Sequence, residues 1–271
     1  MGALKRLEGK TALISGAGRN NGRTIALTFA REGADLILIA RQQGDELNAV
    51  AKQCEAMGVK VLPVLADVSK HEDVNRVVKQ GLDHFGKVDV SVSVAGVRSN
   101  KLLWDYSYEE WHQIFNVNLH STFYLAKALA PSMIERRSGS FIALGGNSAV
   151  TASFPYVSAL AASKHGLHGL IKGMAHAFGP YNVRANLLSL ANIENNRQNP
   201  EWYQHKNESG VMVSTGQVGD PKTSDAERNK LSPLGRQGTQ QEVANVAVFL
   251  ASDESSYITG DRIICSGGGY M

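Results

Sequence analysis

The sequence predicts an α/β protein: a doubly wound parallel β-sheet of about seven strands, flanked by helices. Three observations predict it. Short aliphatic runs alternate with longer amphipathic stretches along the chain. Most of the runs are apolar on both faces, as strands buried in a parallel sheet require. A glycine-rich turn separates the first run from the first amphipathic stretch, which is the punctuation of a βαβ unit.

The strands are expected at "TALIS" (11–15), "DLILIA" (35–40), "VKVLPVLA" (59–66), "VDVSVSVA" (88–95), "SFIALG" (140–145), "VRANLLSL" (183–190) and "RIICSG" (262–267). Helices fill the intervals. Ile25 and Phe29 share one helix face, as do Val74 and Val78, each pair at i, i+4. Ser107-x-x-Glu110 and Thr239-x-x-Glu242 read as capping boxes, each marking a helix start. The chain of 271 residues reads as one domain, 1–271. Residues 191–230 are the exception: polar, rich in Gly and Asn, and weakly periodic. They follow the sixth strand's C-terminal end, where ligands bind in such sheets, so a lid or substrate loop is expected there.

Composition narrows the function classes. A net charge of +3 without a basic run argues against nucleic acid as a partner. Cys54 and Cys265 stand too far apart for zinc or redox spacing, and no His/Asp/Glu cluster has metal spacing. No stretch spans a membrane, and "MGALKRLEGKTALISG" lacks the apolar run of a secretory signal. A cytoplasmic protein with a small-molecule substrate is the expectation.

The turn "SGAGRNNGRTIALTFA" carries the first functional signal. Gly16, Gly18 and Gly22 lie between a strand and a helix. Small residues there let the backbone approach a pyrophosphate, and the helix N-terminus offers free N–H groups and a positive dipole end. This is the dinucleotide site of a Rossmann-type sheet. The second strand ends in Ala40-Arg41, where sites for NAD commonly carry an acid. A guanidinium at Arg41, with Arg19 inside the glycine turn, suits a 2′-phosphate, so NADP(H) is favoured over NAD(H).

These features resemble the short-chain dehydrogenase/reductase family over essentially the whole chain. The family's Thr-Gly-x-x-x-Gly-x-Gly is matched by Ser15-Gly16-Ala17-Gly18-Arg19-Asn20-Asn21-Gly22, with Asn20 in place of the middle glycine. Asp67-Val68 is similar to the family's adenine-contacting pair. Ser93-Val94-Ala95-Gly96 keeps only the Ala-Gly half of the family's Asn-Asn-Ala-Gly. "FNVNLHSTF" resembles the motif that carries the active-site asparagine, here Asn118. Lys164 matches the family lysine, which serves both cofactor and catalysis. The ending "VAVFLASDESSYITGDRIICSGGGYM" is also family-like. Leu190-Ala191 stands for the family's Pro-Gly, Asn195 for a following threonine, and Ile193 between them counts among the cofactor contacts. The resemblance implies an oxidoreductase and a homo-oligomer, a tetramer or dimer.

The departures fall where the chemistry is. Leu160 occupies the place of the family's tyrosine, four residues before Lys164, and Asn147 that of its serine. In the family the tyrosine protonates the oxygen that receives charge during hydride transfer. Leucine offers no proton, and such help is worth roughly 10²–10⁴ in rate. Four groups are candidates to replace it. Tyr156, if the helix begins that early, shares the face of Lys164 about 6 Å up the axis from position 160; otherwise it is a substrate-wall or packing aromatic. Asn147 can donate from its amide without ionising. Ser148 can donate its hydroxyl or cap a turn. Glu194 is either a general acid or a solvated loop charge. Three readings follow. The first is an NADP(H)-dependent oxidoreductase with a displaced donor, acting on an activated C=C, C=N or C=O. The second is a repurposed lyase, isomerase or hydrolase, and the third a catalytically silent relative.

Overall fold

The computed structural model describes residues 5–42, 44–99, 101–152, 155–194, 204–206, 212–214, 226 and 229–269. Nine strands and seven α-helices appear among them. In chain order they are β1 (Thr11–Ser15), α1 (Asn20–Arg31), β2 (Asp35–Ala40), α2 (Gly44–Glu55), β3 (Val61–Leu65), α3 (His71–Phe85) and β4 (Val90–Ser93). Then come α4 (Tyr108–Phe115), α5 (Ser121–Arg136), β5 (Gly139–Leu144), α6 (Ser158–Phe178) and β6 (Val183–Leu190). The last are β7 (Gln204–Lys206), β8 (Met212–Ser214), α7 (Gln240–Ala251) and β9 (Arg262–Cys265).

Seven strands form one parallel sheet in the order β3-β2-β1-β4-β5-β6-β9. The order reverses between β1 and β4, so a crevice opens at the carboxyl ends of these two strands. All seven expected strands are present, and β1, β2 and β6 have the expected bounds. β7 and β8 make a separate antiparallel pair inside the 191–230 stretch. That stretch therefore holds regular structure that its weak periodicity did not announce. Most of the expected lid, Asn195 included, lies outside the described residues.

Alternation along the strands explains the two layers of helices. Ala12, Ile14, Leu36 and Leu38 face one side, where they join Ile25 and Phe29 of α1, Leu47 of α2 and Val243 of α7. Leu13, Ile37 and Ile39 face the other, with Val74 and Val78 of α3, Leu125 of α5 and Ile171 of α6. Each fully buried large apolar side chain stabilises by about 1.5–3 kcal/mol, so both faces drive folding. Gly81 lets α3 lie close to the sheet, since a Cβ there would meet Ile37 Cδ1. Both capping boxes form: Ser107 and Glu110 exchange hydrogen bonds at α4, and Thr239 and Glu242 at α7. Arg236 reinforces the second box, holding the Glu242 carboxyl down at about 2.

Candidate active site

The glycine turn begins on Ser15, the last residue of β1. Its Oγ accepts from the backbone N–H groups of Val94 (3.1 Å) and Ala95 (3.3 Å). The chain leaving β4 is thereby held against the turn. Gly16 has φ +69°, and a Cβ there would stand 3.0 Å from Ala95 N. Gly22 is tighter still, because its Cβ would lie 2.0 Å from Gly16 O. Asn20, in place of the middle glycine, takes the left-handed conformation with φ +47°. Asparagine reaches that region more readily than most residues, so the turn survives the substitution.

These residues fit the diphosphate of a dinucleotide. The N-terminus of α1 has no side-chain cap and no acid in its first turn, leaving its N–H groups and dipole for an anion. Asn21 Oδ1 is buried without a hydrogen-bond partner among the described residues. A bound nucleotide would satisfy such a group. Arg41 directly follows β2, and Arg19 sits at the head of α1. Asp67 does something its motif did not announce. Its Oδ1 accepts from the Ser69 N–H (3.0 Å) and hydroxyl (2.7 Å), closing the turn before α3. Val68 is buried.

Around the ends of β4 and β5 a second cluster gathers. A Cβ on Gly96 would lie 3.4 Å from Asn118 Oδ1 and 3.8 Å from Lys164 Nζ, so the three meet at one point. Lys164 is buried, and its ammonium donates to Leu144 O at 2.7 Å. Burial alone pushes its pKa down to about 8.

Asn118 lies in a one-turn π-helix, Asn116–His120, between α4 and α5. Its Oδ1 accepts from Val97 N and its Nδ2 donates to Val97 O, both at 2.8 Å. Nδ2 also donates to Ser163 Oγ at 3.1 Å. Both amide hydrogens are thus used within the protein. The side chain positions the 94–98 loop.

Asn147 and Ser148 lie in a short 3₁₀ turn, Asn147–Ala149, just beyond β5. Ser148 is buried and its hydroxyl is 3.4 Å from Asn147 Oδ1. Arg262 of β9 braces the turn by donating to Ala149 O at 2.8 Å.

The expectation for Tyr156 needs correction. Helix α6 starts at Ser158, with Val157 as a non-helical cap at ψ 15°. Tyr156 precedes it in a turn with Pro155, whose ring fixes φ and removes an N–H. The same-face argument therefore fails, and the tyrosine stands half exposed ahead of the helix. Leu160 is within α6, and its carbonyl accepts from Ser163 Oγ at 2.9 Å. Ile193 bridges to Gly238, and Glu194, exposed, donates its N–H to Gly238 O. His165 is exposed. No group of three metal-ligating residues occurs among the described residues. No helix among them is long and apolar enough to cross a membrane.

Three residues escaped the sequence reading. Ser163 joins Asn118 to the backbone of α6. Its spacing from Leu160 was visible, but nothing announced its partner. Gln240 of α7 accepts from Thr24 Oγ1 at 2.9 Å and reaches Asn20 Oδ1 and the Glu194 carbonyl, linking the glycine turn to the chain beyond β6. The third, Glu46, stands against the glycine turn. It lies in the first turn of α2.

Comparison with known proteins agrees with this architecture. The family model described as Enoyl-(Acyl carrier protein) reductase matches residues 16–270. A 3-oxoacyl-[acyl-carrier-protein] reductase from Thermotoga maritima is 33% identical over 97% of this chain and 98% of its own. An L-rhamnose 1-dehydrogenase (NAD(P)(+)) from a Sphingomonas strain is 30% identical, covering 99% of both chains. Among solved structures, a short-chain type dehydrogenase/reductase from Mycobacterium marinum superposes with a TM-score of 0.84 at 31% identity, covering 99% of this chain and 98% of that one. Carveol dehydrogenase from Mycobacterium avium, in complex with NAD, gives 0.85 at 25% identity, covering 98% and 99%. The chain belongs to the short-chain dehydrogenase/reductase family of oxidoreductases.

Proposed function

We propose that this protein is an NADP(H)-dependent oxidoreductase with a non-standard proton donor, reducing an activated C=C, C=N or C=O bond. One observation carries the reading. Lys164 is buried beside Gly96 and Asn118 at the mouth of the sheet, while the residue one turn before it is Leu160. The positioning apparatus is present without the usual acid. Arg19 and Arg41 favour the 2′-phosphate form of the cofactor.

The nicotinamide, when bound, supplies or accepts the hydride. The chain's own residues do the rest. The ammonium of Lys164 holds a ribose hydroxyl and sets a positive field at the reacting end. Asn147 donates an amide hydrogen, and Ser148 its hydroxyl, toward the oxygen or nitrogen that gathers charge. Tyr156, in the turn before α6, is the remaining candidate donor. An enolate is a weaker base than an alkoxide, so acceptors that make one tolerate hydrogen-bond donors in place of a strong acid. A homo-oligomer, tetramer or dimer, fits the exposed Trp104 and Tyr108, 78% and 84% accessible.

The test is NADPH oxidation with a panel of enones, imines and ketones, repeated with Tyr156→Phe and Asn147→Ala. Turnover of the activated acceptors, falling ten- to a hundredfold in at least one variant, is expected. Full rate in both variants would overturn the donor assignments. Substrate conversion without any change in nicotinamide absorbance would favour the non-redox alternative, a lyase, isomerase or hydrolase.

A further inference from the structure

The end of β2 carries no acid, yet a carboxylate arrives there from another element. A Cβ on Gly18 would lie 4.0 Å from the Ala40 methyl and 4.0 Å from Glu46 Oε2. The glycine turn, the end of β2 and the first turn of α2 therefore converge on one spot. Glu46 Oε2 is buried there with no hydrogen-bond partner among the described residues. A carboxylate oxygen taken from water without a donor is strongly unfavourable, so native structures seldom leave one unmatched. The neighbouring acid Asp45 is exposed on α2 and needs no such partner.

We propose that Glu46 accepts a hydrogen bond from the adenosine ribose hydroxyl of a bound dinucleotide, and that the protein consequently uses NAD(H) as well as NADP(H). The proposal rests on the dinucleotide reading of the site. In this fold the ribose of the adenosine half lies between the glycine turn and the end of the second strand, where an acid selects the 2′-hydroxyl. Here Gly18 and Ala40 present only small groups at that spot, and the acid comes from α2. Arg41, directly after β2, and Arg19, at the head of α1, bring positive charge to the same end. The 2′-hydroxyl finds an acceptor in Glu46. The 2′-phosphate finds cations in the arginines but meets the repulsion of Glu46. The two effects oppose each other and pull the preference toward parity. An acid on an amphipathic helix, beside a second acid in the same turn, is ordinarily read as helix-dipole compensation. The sequence therefore hid it.

Calorimetric titration of the full chain with NADH and with NADPH tests this. Wild type is expected to bind both, with dissociation constants within about tenfold. Glu46→Gln keeps the size and removes the charge. It should weaken NADH about tenfold and tighten NADPH about tenfold, a hundredfold swing in the ratio. Thermal melting of the unliganded variant checks that it folds, and Glu46→Ala, with the same expected direction, serves if it does not. An unchanged ratio in the variants would overturn the proposal, as would a wild type that binds NADPH more than a hundredfold tighter than NADH. Neither outcome touches the dinucleotide site itself. Failure of wild type to bind either nucleotide would overturn that reading and this one together.

Discussion

Gly22→Ala is the sharpest test of how the glycine turn is built. The added methyl would stand 2.0 Å from Gly16 O, 2.8 Å from Gly16 C and 3.1 Å from Ala17 Cα. Comfortable non-bonded separations are about 3.5 Å or more, so the backbone must move by more than about 1 Å. The far side cannot yield. Gly16, at φ +69°, already lies so close that a Cβ on it would be 3.0 Å from Ala95 N. Helix α1 must withdraw instead, and α1 is anchored by the fully buried Ile25 and Phe29. Overpacking of this kind costs about 1–3 kcal/mol or more. At about 2–4 °C per kcal/mol for a chain of this length, the melting temperature should fall by about 2–12 °C. Gly18→Ala is the matched control, because its methyl meets nothing closer than 4.0 Å. Circular-dichroism melts without nucleotide, followed by NADPH titration, separate the two. Gly22→Ala should lose both stability and affinity. Gly18→Ala should keep its melting temperature and lose affinity alone, since its methyl enters the space assigned to the ribose. A Gly22→Ala protein that melts and binds like wild type would refute the packing argument.

Two further outcomes follow from buried charges. Lys164, with its pKa lowered to about 8, loses its proton in the folded state while the unfolded chain keeps it to about 10.5. The unfolded state then binds more protons across that window. Wild-type stability should therefore rise with pH from about 8 to 10.5, by up to about 3 kcal/mol relative to Lys164→Met. Urea unfolding of both proteins at pH 7, 9 and 10 measures it, and parallel curves would contradict the burial of a charged lysine. At the opposite end of the sheet, Arg136 donates to Asp89 Oδ1 (2.7 Å) and to Val88 O (2.5 Å). Arg136→Ala leaves that buried carboxylate with Lys87 as its remaining ion-pair partner at 3.0 Å and should cost about 3 kcal/mol in the same assay. Activity per folded molecule should not change.

What the sequence made legible follows from range. Strands apolar on both faces announce themselves residue by residue, which is why β1, β2 and β6 were bounded correctly. The capping boxes of α4 and α7 are equally local, and Asn20 at φ +47° is a local substitution for glycine. The site depends on contacts across the chain, and there the reading faltered. Asn118 was identified, but the commitment of its amide to Val97 and Ser163 spans 21 and 45 residues. Whether Tyr156 belongs to α6 stayed open in the sequence, because nothing in "PYVSALAASK" marks where the helix begins. The cap is Val157, which has no side chain able to accept an N–H. Glu46 was passed over because its meaning lies in its distance from Gly18.

On the proposed function, with Leu160 in the place of a tyrosine, the group that should control the pH dependence of turnover also changes. In a site with a phenol next to the lysine, the ammonium lowers the phenol's pKa, and the phenol in turn favours the charged lysine. Leu160 removes that exchange. The depression of Lys164 has desolvation as its cause, and its ammonium donates to a neutral carbonyl, Leu144 O. Lys164 is then the group of the proposed machinery that changes charge near pH 8. kcat/KM reports the free enzyme. With NADPH and an activated acceptor it should fall on the alkaline side with an apparent pKa near 8, as the positive field at the reacting end is lost. Lys164→Arg, which stays charged throughout the range, should remove that limb while lowering the plateau. A profile that is flat to pH 10, or one whose alkaline limb persists in Lys164→Arg, would show that the lysine is a structural strut. The charge that assists hydride transfer would then have to come from another group.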